Sequence, residues 1–154
     1  MGEATKEIYL AYQRRINGHI KIDTAWFRSF ESAKTIQIND ITVTPFTVDH
    51  STYDAHMFLV EANGRRILHT GDFRTHGFRG KGVLPTLRKY FGQVDVLIIQ
   101  GTNLYKDDEE IITEHQLQRK AMGMLKQYKY IFVICPSTNI DRIASFNAAT
   151  SSVK

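Results

Sequence analysis

The spacing of apolar side chains changes twice along the chain. Over residues 5–16, Ile8, Tyr12 and Ile16 recur every four positions among Lys6, Glu7, Arg14 and Arg15, the stripe of an amphipathic helix, and Asn17-Gly18 ends it. Residues 24–34 carry Trp26, Phe27 and Phe30 without a period and support no assignment. The period then falls to two. Residues 35–38 and 41–48 read as strands parted by an Asn39-Asp40 turn, and 56–61 with 66–70 read as a hairpin around Asn63-Gly64.

Beyond a Gly/Arg-rich loop at 75–82, helical and strand patterns alternate. Pro85 opens a short helix to Tyr90, 94–100 is a buried strand, 109–128 is a long helix, 130–135 is a second buried strand and 139–149 is a last helix. Apolar strands flanked by helices predict parallel pairing in this half. The fold class is α/β, an antiparallel meander with helices followed by the start of an α/β unit.

Composition narrows the classes. The chain has 154 residues, 20 Lys+Arg against 16 Asp+Glu and a net charge of +4, which suits one compact domain or one plus a fragment. Its longest apolar runs fall far below the ~20 residues of a membrane-spanning helix, so no membrane partner is expected. The first residues form no apolar signal core, and the lone Cys135 permits no internal disulfide, so a reducing, cytoplasmic setting is expected.

Ionisable residues gather where two strands end. Asp49-His50-Ser51, with Asp54 after it, follows residues 41–48, and Thr70-Gly71-Asp72-Phe73-Arg74 follows 66–69. Paired as hairpin neighbours, these strands bring His50 and Asp72 to one edge, a nitrogen and an oxygen donor of the kind a zinc ion accepts. Two donors make half a site, because catalytic zinc takes three protein ligands and a water.

These segments carry a resemblance. Asp49-His50-Ser51-Thr52-Tyr53-Asp54 within 43–55, and His69-Thr70-Gly71-Asp72-Phe73-Arg74 within 67–74, resemble the third and fourth motifs of the metallo-β-lactamase fold. Within that superfamily the chain is most similar to the β-CASP nucleases typified by ribonuclease J. Gln100-Gly101-Thr102-Asn103-Leu104 and Pro136-Ser137-Thr138-Asn139-Ile140-Asp141-Arg142 resemble the segments that end the lactamase half and enter the β-CASP insert. The likeness covers about residues 35–149, and four segments jointly spaced are more specific than any one.

The resemblance implies a lactamase-like portion over 1–104 and the start of a β-CASP-like portion over 105–154. It implies a catalytic and metal-ligating role for His50 and Asp72, with Asp72 bridging two zinc ions in an intact parent. Asp54 is implied to fix the loop or support the ligands rather than ligate. Ser137, Thr138 and Asn139, with Arg74, are implied to meet nucleic-acid phosphate, in keeping with free N–H groups at a helix N-terminus. The function so implied is metal-dependent hydrolysis of a nucleic-acid phosphodiester, RNA first.

Departures qualify this. The family's His-x-His-x-Asp-His string is absent from the sequence, and Gln100 stands where the family has an acidic residue. The chain therefore reads as an internal piece of a longer hydrolase, inactive by itself. The alternatives are a non-catalytic binding or regulatory module on the same fold, and a metallo-hydrolase of another substrate such as a thioester or lactone. A homo-oligomer is compatible with every reading.

Other groups read more plainly. His69 packs within its strand, His19, His56 and His115 take surface or core roles, and His76 sits in a loop that could line the cleft. Arg65, Arg66, Arg74, Arg79 and Lys81 form either a phosphate-steering rim or a solvated face. The acidic run at 107–110 complements a helix macrodipole, Asp141-Arg142 is first-turn helix chemistry, and Cys135 is a small buried hydrophobe.

Overall fold

A computed structural model describes residues 1–18, 21–102 and 111–152. His19, Asn103, Leu104 and the acidic run at 107–110 lie outside the described residues.

Helix α1 spans Glu3–Ile16, and its C-cap is Asn17. One turn of 3₁₀ helix follows at Thr24–Trp26, capped by the Asp23 side chain. The strands β1 (Ile36–Ile38), β2 (Ile41–Thr47), β3 (His56–Ala62), β4 (Arg65–His69) and β5 (Val96–Ile98) form one sheet in sequence order. The first four are antiparallel neighbours and β5 joins β4 in parallel. The β3–β4 turn is the pair Asn63-Gly64, both at positive φ, which matches the right-handed twist of the strands it joins.

Register explains the core. Phe46 lies opposite Met57 and Leu59 opposite Leu68, so the alternation places these four on one face, where Phe91 and Leu87 of the neighbouring helical segment close over them. That segment is α2, Gly80–Tyr90, with Phe91 at its C-cap. On the opposite face Phe30 stacks edge-on against His56 and Phe58, which gives the unperiodic stretch 24–34 a packing role. Helices α3 (Glu114–Leu125) and α4 (Ile140–Ser151) pack on each other.

Four expectations need correction. Helix α2 begins at Gly80 and holds Pro85 in its interior, where the sequence suggested that Pro85 opened it. The strand expected over 94–100 shrinks to Val96–Ile98, and all three of its residues are exposed. The buried strand expected over 130–135 is no strand: Phe132 is 93% and Ile134 is 99% exposed. A short apolar run becomes a strand only when a neighbour supplies hydrogen bonds, and among the described residues no strand pairs with this run. The long helix starts later, at the reciprocal bonds between Thr113 and Gln116 that form a capping box. No described helix is long and apolar enough to cross a membrane.

Candidate functional site

Strands β2 and β4 both lie antiparallel to β3, so they run the same way and their following loops leave the same edge of the sheet. β5 is parallel to β4 and delivers Gln100 to that edge too. His50, Asp72 and Gln100 thus share one end of the fold.

Their side chains differ in setting. Asp72 is exposed and His50 is half-buried. The Thr52 amide donates to His50 Nδ1 at 3.2 Å, so the neutral ring carries its proton on Nε2. Ligation through Nε2 requires that contact to be released. Among the described residues no three of His, Cys, Asp and Glu stand together in a way that could hold a metal. His50 and Asp72 by themselves therefore do not complete a zinc centre.

The buried residue of the first motif is Asp49, only 1% exposed. Its carboxylate accepts from the Gly77 amide at 2.7 Å and from Arg74 Nε at 3.3 Å. A Cβ at Gly77 would land on that carboxylate, which is why glycine stands there. Arg74 also donates to Asp141 (2.8 Å) and to Glu114 (3.4 Å). Glu114 in turn accepts from Arg142 and from Ser145 Oγ at 3.0 Å. Burial raises the Glu114 pKa, but the bonds from Arg142 and Ser145 and the charges of Arg142 and Arg74 outweigh it, and the carboxyl sits below its ordinary value. This cluster joins the loops after β2 and β4 to the N-terminal ends of α3 and α4.

Arg74 is thereby removed from the expected phosphate contacts: three carboxylates hold a guanidinium whose side chain is 9% exposed. Asp141 and Arg142 do more than first-turn helix chemistry, since both belong to this cluster. His69 does not pack; it is exposed and its Nδ1 accepts from the Gly71 amide. His76 is half-buried, and burial with the nearby Arg74 charge lowers its pKa, so it is neutral at pH 7. Cys135 is partly exposed.

The basic rim divides. Arg65 pairs with Asp95 at 2.7 Å, and Arg66 donates to the Phe91 and Gln93 carbonyls beyond α2, each at 2.7 Å. Arg79 lies 4.5 Å over the Tyr53 ring. Lys81, with His115 and Arg119 of α3, lines a cleft of about 590 Å³ that local sequence spacing does not reveal.

Asp54 fixes its loop. At φ +65° it turns its carboxylate onto the first turn of α1, accepting from Thr5 N at 3.0 Å and Thr5 Oγ1 at 3.2 Å. Asn139 caps α4 by accepting from the Arg142 amide, so its oxygen is engaged, whereas Ser137 and Thr138 are exposed. These two line a cleft of about 420 Å³ with Thr52 and Tyr53 of the His50 loop. Gln100 donates its amide to the Phe73 carbonyl and tethers the Asp72 loop; a carboxylate at this position has no proton to donate when ionised.

These features define an α/β protein with a five-stranded mixed sheet and two loop clusters at one edge. Its fold is similar to that of a solved protein of unknown function from Enterococcus faecalis V583, with a TM-score of 0.70 at 20% identity over 79% of this chain. The chain spans 31% of that protein's length. No protein-family model and no curated protein matches the chain.

Proposed function

We propose that this chain is a portion of a metal-dependent hydrolase acting on nucleic-acid phosphodiesters, RNA first, as its resemblance to the β-CASP branch of the metallo-β-lactamase superfamily implies. His50 and Asp72 are its metal donors and zinc is the metal, with further ligands needed from outside the described residues. The observation that supports the reading is the shared edge: β2 and β4 deliver His50 and Asp72 to one end, and the His50 loop lines a cleft with Ser137 and Thr138. Zinc bound there would lower the pKa of a water and polarise a phosphoryl oxygen. The chain's own part is to present the two donors, to hold the Asp72 loop through Gln100, and to offer the Ser137 and Thr138 hydroxyls to phosphate. The setting is cytoplasmic, and a homo-oligomer is the state that would cover the apolar edge strand β5.

The test is zinc content after dialysis, by elemental mass spectrometry, for the chain and for His50→Ala with Asp72→Ala. Zinc retained by the chain and lost from the variant supports the assignment. Zinc bound equally by both overturns these two residues as metal donors of this chain; little zinc in either is what half a site gives, and an unchanged metal-dependent rate on His50→Ala in an intact parent then overturns His50 as a ligand.

A second reading is a binding module that keeps the fold without metal chemistry. Gln100 favours it, because its amide serves as a structural donor where the resembled family has an acid. It predicts nucleic-acid binding that chelator leaves unchanged.

A further inference from the structure

The cleft beside the His50 loop has a second wall that the sequence did not connect to it. Tyr9 and Tyr12, on one face of α1, line it together with Tyr53, Ser137 and Thr138. Tyr9 is 39% and Tyr12 51% exposed, so ring surface is open to a ligand. Tyr9 leans on Phe27 at 5.5 Å between centroids, which holds the ring in place. Arg79, over the Tyr53 ring, brings a cation near the rim. None of the lining residues is acidic.

We propose that this cleft is a stacking subsite for an unpaired base of a single-stranded nucleic acid, with the adjoining phosphate at Ser137 and Thr138. The inference rests on the nucleic-acid reading above and deepens it. Aromatic faces and aliphatic hydroxyls ask for different parts of one ligand. An aromatic face takes a flat, apolar π surface, and hydroxyl donors take a phosphate oxygen. A nucleotide carries both on one scaffold. A duplex hides its base faces in the stack, so the subsite selects an unpaired strand. Position adds to this. Asp54 caps α1 and so fixes Tyr9 and Tyr12 against the same loop that carries His50, which sets the stacked base one loop away from the proposed metal donors.

The experiment is fluorescence anisotropy with a short labelled single strand, in EDTA so that metal chemistry plays no part, comparing RNA and DNA of one sequence. The paired variant Tyr9→Ala, Tyr12→Ala should bind about tenfold more weakly or worse, while Tyr9→Phe, Tyr12→Phe should stay close to the parent. A strand of the same length with abasic sites should lose affinity as the alanine pair does. If Tyr9→Ala disturbs packing on Phe27, Tyr12→Ala alone at the more exposed ring carries the test. Tighter RNA than DNA binding would add a ribose contact to the subsite. Equal binding by the alanine pair and the parent, or by abasic and intact strands, overturns the stacking subsite while leaving the nucleic-acid reading in place. Absence of binding to either strand overturns both, and the zinc measurement remains an independent test of His50 and Asp72.

Discussion

Arg142 grips Glu114 through two nitrogens, Nε lying 3.1 and 3.2 Å from the two carboxylate oxygens and Nη2 lying 2.9 Å from one of them. Glu114 is the central anion of a cluster in which Arg74 reaches Asp49 and Asp141 as well. Removing one partner of a buried ion pair strands the others, so the loss exceeds the net worth of the pair. Glu114→Ala should cost about 3 kcal/mol, read as a lower urea midpoint at unchanged slope. Glu114→Gln, which retains shape and some hydrogen bonding, should lose less. A midpoint for Glu114→Ala equal to the parent's would show that the cluster contributes nothing to stability.

The same cluster sets a pH dependence. Glu114 has a lowered pKa in the folded chain, so its stabilisation is complete above its unfolded value of about 4.3 and is lost as pH falls through the folded value. His76 is also lowered, so below about 6.5 the unfolded chain binds a proton that the folded chain refuses. Both contributions have one sign. Stability should decline from about pH 6.5 downward and steepen in the carboxylate range, and His76→Gln should remove the upper part of the decline. A urea midpoint constant between pH 7 and pH 5 in the parent would contradict the contribution of His76.

How much of this was legible in the sequence depends on how local each signal is. The Asn63-Gly64 hairpin and the four-residue spacing of Ile8, Tyr12 and Ile16 are complete within a few residues, and the structure places a turn and a helix there. The late start of α3 was legible too, since Thr113-x-x-Gln116 is a capping box in the sequence. The run at 130–135 misled because apolar composition signals burial only if something covers it. The charge cluster could not be read at all: Arg74 meets Asp141 across 67 positions, and no spacing rule reaches that far. For the candidate site, the sequence marked His50, Asp72, Ser137 and Thr138. It missed Tyr12, whose place in the Ile8, Tyr12, Ile16 stripe already gave it a packing explanation, and Tyr9, which lies off that stripe.

Asp54 supplies a cap from a distance. Gly2, at the N-cap of α1, has no side chain to satisfy the first amides, and the Asp54 carboxylate takes the Thr5 amide in its place. Asp54→Ala should destabilise by about 1 kcal/mol and reduce helicity in far-ultraviolet circular dichroism. Asp54→Asn should recover most of the loss, since asparagine accepts the same bond and tolerates positive φ. If the alanine variant matches the parent in both readouts, α1 owes nothing to this loop.

Gln100→Glu tests the tether of the Asp72 loop. The amide donates to the Phe73 carbonyl, and an ionised carboxylate would set two acceptors against each other, leaving that carbonyl unpaired. An unmade bond of this kind costs about 1–3 kcal/mol. A protonated glutamic acid can still donate, so folding favours the neutral form and raises the variant's carboxyl pKa above its unfolded value of about 4.3. A group raised in this way contributes its stability below the unfolded pKa and loses it as pH rises through the folded one. The deficit of Gln100→Glu relative to the parent should therefore be small near pH 4 and grow toward pH 8, with faster amide exchange at Phe73 and Arg74 on the alkaline side. A deficit that is flat across this range would mean that the loop does not depend on the donated proton, and that Gln100 holds Phe73 by packing.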